Sequence, residues 1–334
     1  MIEKNNWTAV VARYASADTR RSIWQLVNTL VPYFALFYLS MRSMEISIWL
    51  TIPLTILTAG FMVRTFIIFH DCGHGSFFKS RTANKWVGRV AGLLTFTPFY
   101  RWTHDHSIHH ATAGDLDRRG TGDVYTMTVE EYLASPWWKK FGYRVMRNPV
   151  AMFVFGSLIV FVVTQRIPTG EKREKESVWW TNLSLVLMVT AGSLLFGWQA
   201  FVTVQLMVIF FGAMAGIWLF YVQHNFDPSY WDRHEQWQFF RAGLDGSSFY
   251  KLPKVLQWFT GNIGFHHIHH LSPKIPNYKL EQCHNENPIF HIPPLTIRKS
   301  LKSLQYRLWD EKERMLVGWS VLKKYRLQPV KMKS

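Results

Sequence analysis

Eight histidines fall into three tight groups: His70-x-x-x-His74, His106-x-x-His109-His110 and His266-x-x-His269-His270. On a helix, residues three and four apart share a face, so each group aims two or three imidazoles at one point. Neutral imidazole is a ligand for iron, zinc, copper or nickel. Eight ligands are too many for one ion and suit two. Each group stands just beyond an apolar stretch, which puts the chemistry at a membrane surface. An imidazole buried without a partner costs stability, so three such groups have no ready structural explanation.

Neighbouring residue types narrow the chemistry. A zinc protease helix reads HExxH, with Glu as the base; here the first group reads His70-Asp71-Cys72-Gly73-His74. Soluble di-iron proteins use Glu and Glu-x-x-His motifs, and none of the three groups holds a glutamate. Cys72 and Cys283 are the only cysteines. They form neither a CxxC pair nor a disulfide framework, which argues against thiolate-bound iron–sulfur or zinc sites. What remains is an all-imidazole two-metal site. Iron with open coordination positions can use dioxygen to take hydrogen from an unactivated C–H bond. A dry, narrow tunnel would then select the carbon by position. With no Gly-rich nucleotide fingerprint and no fused cytochrome-like His-Pro-Gly-Gly segment, electrons must come from an external donor.

The elements that position these groups are apolar. Aromatic residues make up 16% of the 334-residue chain, yet overall hydropathy is near zero because basic stretches alternate with apolar runs. That mixture predicts an all-α membrane protein. Four transmembrane helices in two hairpins are expected at about 26–41, 46–69, 178–196 and 201–222, the first weakened by Asn28 and Pro32. The 46–69 helix should leave the membrane near Arg64 and continue outward to present His70 and His74. Stretches 86–102 and 149–163 read as interfacial or re-entrant. The remainder, 70–177 and 223–334, forms a cytosolic histidine-rich cap whose 296–333 end reads as a surface-lying helix. Parity supports this layout, because all groups must share one membrane face. The whole of 1–334 reads as one membrane-embedded domain.

The formal net charge is +16. Positive-inside bias and attraction to anionic lipid account for it. No nucleic-acid-binding module is visible. The opening residues are too polar for a secretory signal.

Longer stretches carry a resemblance. Residues 101–112 (RWTHDHSIHHAT), 115–123 (DLDRRGTGD), 246–253 (GSSFYKLP) and 261–283 (GNIGFHHIHHLSPKIPNYKLEQC) resemble the membrane fatty-acyl desaturases, and among them the Bacillus-type bacterial acyl-lipid enzymes. The resemblance covers nearly the whole chain. It implies a ninth metal-binding histidine, His224, so that the ligand set becomes His70, His74, His106, His109, His110, His224, His266, His269 and His270. It implies two iron ions, dioxygen as co-substrate, and membrane phospholipid acyl chains as substrate, with desaturation favoured at the fifth carbon. It also implies a multi-pass protein of the plasma membrane with its site on the cytoplasmic side. A basic face would draw an acidic ferredoxin or flavodoxin, with Arg118 and Arg119 as a place to test docking.

Several residues hold a lesser place. Asp71, Asp105, Asp227 and Asp232 are candidates to orient imidazoles through the second ring nitrogen, against the plainer reading of surface charges or caps. His104 and His267 fall outside the group pattern and read as hydrogen-bonding or surface residues. His234, His284 and His291 read as surface residues, and Cys72 as a small buried filler. Rival readings are a di-iron hydroxylase and a metal transporter or sensor. The transporter reading expects ionisable residues along a path within the spans, where Arg64 alone occurs.

Overall fold

The computed structural model describes residues 6–327. Helix α1 (Trp7–Ala12) precedes a long hairpin of α2 (Thr19–Ser43) and α3 (Ile48–His74). Then come α4 (Arg81–Leu94), α5 (Phe99–Thr112), α6 (Val129–Ala134) and α7 (Trp137–Met146). A second long hairpin pairs α8 (Lys172–Phe196) with α9 (Trp198–His224). Shorter helices α10 (Phe239–Leu244), α11 (Lys254–Phe259), α12 (His266–Leu271) and α13 (Asn277–Glu286) build the cap.

Among the described residues, α2, α3, α8 and α9 are long and apolar enough to span a membrane. The protein is therefore a mostly helical membrane protein, with the two hairpins expected from the sequence. The helices overrun the apolar stretches. Helix α2 starts at Thr19, where the Asp18 carboxylate accepts from the N–H groups of Arg20 and Arg21, and α8 starts at a Glu171–Glu174 capping box. Polar first turns keep helical geometry although they carry no hydropathy signal. Pro32 and Pro53 lie inside α2 and α3 without ending them. Neighbouring helices in a membrane bundle re-satisfy the freed backbone groups.

Length explains how the spans reach the site. α3 and α9 have 27 residues each, which at 1.5 Å per residue is about 40 Å. The hydrocarbon core is about 30 Å thick. A turn or more must project, and the projecting ends hold His70 and His74 on α3 and His224 on α9.

The bundle packs around Tyr33, Phe37, Met62, Phe201, Val208 and Ile209. Gly192 of α8 leaves room for the Phe201 ring, whose carbons would lie within 2.5 Å of an added Cβ; small residues let membrane helices approach closely. Val31, Phe34, Trp49, Val186 and Leu194 are exposed on the outer faces, as lipid-facing side chains would be. The single residue Gly197, at φ 83°, separates α8 from α9, a tighter turn than the gap of 197–200 between the expected spans.

The two interfacial stretches differ in continuity. The 86–102 region is split by Thr95–Pro98 into α4, which packs along α3, and α5, which carries the second histidine group. The 149–163 region is an apolar helical stretch, Ala151–Arg166, with wide π-type turns. It meets α7 at a 74° bend. Pro149 lies at that bend and disfavours helical geometry in Asn148 before it.

The chain end departs from expectation. Instead of one surface-lying helix, 296–327 forms a short helix at Ile297–Ser300, a 3₁₀ turn at Leu301–Gln305, an antiparallel pair of Leu308–Asp310 with Met315–Val317, and a last helix at Val321–Leu327. Residues 328–333 of the expected helix lie outside the described residues. Leu308, Trp309 and Leu316 are buried, so this pair is packed into the cap on both faces of its first strand, where a surface helix would have left them exposed.

Candidate metal centre

The nine histidines named from the sequence meet at the junction of α3, α5, α9 and α12, and they do so as two sets. His70, His74, His106, His110 and His269 form one set, and His109, His224, His266 and His270 the other. Within each set the candidate ligand atoms all lie within 4.8 Å of one another. Among the described residues no other comparable cluster is found.

This arrangement corrects the expectation that each group serves a single point. The second group gives His106 and His110 to one set and His109 to the other. The third gives His269 to the first and His266 with His270 to the second. Helical rotation supplies the reason. Consecutive residues are about 100° apart, so positions i and i+4 project together while i+3 turns aside. Two helices facing each other can thus feed two adjacent sites.

Spacing of the nitrogens supports a metal fit. Nε2 of His224 lies 3.1 Å from Nε2 of His109 and 3.0 Å from that of His266. Nε2 of His110 lies 3.1 Å from that of His106 and 3.0 Å from that of His269, and His270 Nε2 is 3.1 Å from His266 Nε2. Two imidazoles bound at right angles about 2.1 Å from one ion would stand about 3.0 Å apart. Burial pushes the ring pKa values of His106, His109, His110, His266, His269 and His270 well below the usual histidine value. Neutral rings keep a lone pair for a cation. An all-nitrogen set of this kind suits iron among several first-row metals.

Of the four carboxylates considered, Asp71 alone reaches a grouped imidazole. Its Oδ1 is 3.0 Å from His70 Nδ1. Its Oδ2 accepts from the Asn277 backbone N–H at 2.7 Å and side-chain amide at 2.9 Å. This fixes the last turn of α3 to the start of α13. Asp105 is bound by Arg101 and Asp232 by Arg314, while Asp227 leaves Oδ1 buried without a partner.

The outlying histidines divide. His104 is exposed on α5, 3.8 Å from Glu174. His267 is buried and its Nε2 donates to the Phe290 carbonyl at 3.0 Å; burial lowers its pKa to about 3. His234 lies 2.9 Å from Asp115, and His291 is exposed, bonded to the His284 carbonyl. His284 is not a surface residue. It packs against the rings of Phe249 and Phe265, and burial lowers its pKa to about 4. It also ends the chain's one Glu-x-x-His spacing, Glu281 to His284, away from both histidine sets. Cys72 is buried among Ile68, Phe69 and Phe99.

Arg118 and Arg119 do not offer free charge. Arg118 is paired with Asp115, and Arg119 is buried against Glu131 and the Leu116 carbonyl. Other contributors were not legible as such. Trp102 stacks on His106 with ring centroids 4.2 Å apart, and Phe220 lies against His109 and His224. Trp102 lies at His106 minus four and Phe220 at His224 minus four, and that spacing was the available signal. Arg64, inside α3, is buried beneath Trp258 of α11, its guanidinium 3.9 Å from the ring centroid. Its Nε donates to Thr29 and a terminal nitrogen to the Trp258 carbonyl.

An apolar cavity of about 540 Å³ ends on His70, His106 and His266. Met62 and Phe66 of α3, Gly216 and Ile217 of α9, and Met152 and Phe161 of the bent stretch line it. It runs from the histidines into the bundle.

Spanning hairpins that close over paired multi-histidine sets, with an apolar cavity leading to them, define a helical membrane protein whose cavity opens onto histidines that could hold metal ions. Residues 47–292 match the model of the family described as fatty acid desaturase, and the chain belongs to that family. It is 48% identical to a fatty acid desaturase of Bacillus subtilis (strain 168) over 95% of this chain and 91% of that one. It is 26% identical to an sn-1 acyl-lipid omega-3 desaturase (ferredoxin) of Synechocystis, over 70% of this chain and 67% of the other. An sn-1 oleoyl-lipid 12-desaturase of Synechocystis is 27% identical over 76% and 71%. The protein is thus an oxidoreductase of the desaturase type.

Proposed function

We propose that this chain introduces a cis double bond into acyl chains esterified to membrane glycerolipids, at a di-iron centre held by its nine clustered histidines. The observation that carries this reading is the apolar cavity ending on His70, His106 and His266. His70, His74, His106, His110 and His269 would hold one iron, and His109, His224, His266 and His270 the other. Two iron ions, supplied with dioxygen and two electrons, would provide the oxidant that removes one hydrogen from each of two neighbouring carbons, with water as the by-product.

The protein's own share is positioning. Asp71 accepts from the His70 ring N–H and so keeps Nε2 free for a metal. Trp102 and Phe220 cover the imidazoles and limit water. The cavity walls hold an acyl chain so that one carbon pair meets the site. We favour the fifth carbon, on the resemblance to Bacillus-type enzymes.

The 1–334 chain would act as one membrane-embedded unit in the plasma membrane. The basic run at 165–176 and the rest of the cap would face the cytosol by positive-inside bias. Electrons would come from a ferredoxin or flavodoxin, a choice supported by the ferredoxin named for the Synechocystis relative. Because Arg118 and Arg119 are internally paired, docking would rest on other cap cations. The test is expression in a host lacking unsaturated lipids, followed by mass-spectrometric location of the double bond. An added hydroxyl in place of a double bond would overturn the reaction, and a bond elsewhere would overturn the regiochemistry.

A further inference from the structure

A second cavity, of about 600 Å³, lies in the cap. The chain passes directly from one cavity to the other. Leu219, Phe220 and Gln223 line the acyl cavity, while Asp227 and Trp231, just beyond, line the second. Nothing in the proposed reaction uses this space.

Its charge is unbalanced. Arg241, Lys299, Lys302 and Arg314 line it, against Asp227 and Asp245. Arg241 lies 3.6 Å from Asp245, and Arg314 is bonded to Asp232 outside the lining. Among the described residues no carboxylate lies within ion-pair distance of Lys299 or Lys302. Three polar groups of the lining are also left over. Ser303 is 1% exposed, yet its Oγ has no hydrogen-bond partner, and Ser229 Oγ and Asp227 Oδ1 are buried in the same condition. Buried polar atoms without partners are costly and point to something that satisfies them.

The position of the cavity indicates the source of a ligand. Lys299 and Lys302 sit on the turn that follows Thr296, where Ile297 and Leu301 are exposed. Leu304, on the same turn, packs with Met152, Phe153 and Trp218 at the membrane end of the cap. Cations interleaved with exposed apolar residues suit the headgroup layer of a membrane. Two unpaired ammonium groups suit a phosphate. A carboxylate beside them disfavours a bare polyanion and suits hydroxyl donors.

We propose that this cavity binds the phosphate of a phospholipid headgroup, with Lys299 and Lys302 on the phosphate oxygens and Asp227 and Ser303 on headgroup hydroxyls. The reading does not depend on the metal chemistry. It is tested by titrating dihexanoylphosphatidylglycerol, below its micelle-forming concentration, into the detergent-solubilised full chain and measuring the heat. Saturable binding is expected, weakened about tenfold or more in the Lys299→Gln/Lys302→Gln double variant, since two charge-assisted hydrogen bonds to the phosphate are lost. Arg298→Gln, exposed on the same turn and outside the lining, should change affinity by less than about twofold, as a screened surface charge does.

Dihexanoylglycerol, which lacks the phosphate, should show no saturable binding. Inorganic phosphate binding as tightly as the lipid would overturn the headgroup source and assign the site to the free anion. Equal weakening in Arg298→Gln and the double variant would reduce the effect to general surface charge and overturn the site. Unchanged binding in the double variant would overturn it as well. All three substituted side chains are exposed, and an unchanged melting temperature shows that the variants are folded.

Discussion

Asp71 joins two parts of the chain that are 206 positions apart: it faces His70 Nδ1 at 3.0 Å through one oxygen and takes two N–H groups of Asn277 through the other. The carboxylate therefore sets the His70 ring and docks α13 against α3. Asp71→Asn should lower metal affinity or turnover by about 10- to 100-fold, the usual cost of losing a ligand's hydrogen-bonded partner. Iron content per chain, by elemental mass spectrometry, checks this alongside product yield. Asn277→Ala should do less, because Asp71 keeps its bond to the backbone N–H. Full iron loading in Asp71→Asn would remove the carboxylate from this role.

The interleaving of the two histidine sets makes a separate prediction. His106→Ala and His269→Ala both strip the first set, while His224→Ala strips the second. Each should abolish turnover, and each should cut bound iron from about two per chain toward one or none. His104→Ala should keep iron and most activity, since that ring is exposed and outside both sets. If His224→Ala keeps its iron and its activity, the ninth histidine is not a ligand.

What the residues revealed in advance, and what they hid, follows from the range of each signal. The two hairpins were legible because a span is a local, continuous run of apolar residues. Their starts were not, because the polar turns from Thr19 to Gln25 and from Lys172 to Ser177 carry no hydropathy signal. The eight grouped histidines were legible from spacing, and His224 only from resemblance, because a single histidine at a helix end has no pattern of its own. The splitting of the second and third groups follows from the turn of the helix between i+3 and i+4, but which set each imidazole joins depends on which helices face each other, which spacing does not encode. Asp71 could be named as a candidate, but its partner Asn277 comes from a distant segment. His284 was misread because its burial comes from Phe249 and Phe265, brought in by the cap fold rather than by neighbours in sequence.

Gly216 tests the acyl cavity. It lines the space on α9, and a Cβ added there meets nothing within 4 Å. Gly216→Leu should therefore fold normally, helped by about 0.8–1.0 kcal/mol of helix propensity between glycine and a good helix former. The leucine side chain would fill cavity volume. Turnover of long acyl chains should fall about tenfold or more as chain placement is lost, with shorter chains spared and iron content unchanged. Gas chromatography of host lipids gives the chain-length profile. An unchanged profile would mean that the acyl chain lies elsewhere.

His267 gives a pH test apart from the metal ligands' own chemistry. Burial lowers its pKa to about 3 in the folded protein, against about 6.5 in an unfolded chain. Below about pH 6.5 the unfolded state binds the extra proton and the folded state does not. Stability is therefore fully present above about 6.5, and this residue removes about 1.4 kcal/mol for each pH unit below it. The loss would continue toward pH 3, where the folded form also takes the proton. The metal-free protein in detergent should melt at a constant temperature between pH 7 and 8, then at progressively lower temperatures from pH 6.5 to 5. The buried grouped histidines add to the same slope, because their pKa values are lowered in the same direction. His267→Gln, whose amide can still donate to the Phe290 carbonyl, should melt with a shallower slope over pH 6.5 to 5 than the parent. Parallel slopes in the two proteins would mean that His267 takes up its proton in the folded state, and would count against its burial as a neutral donor.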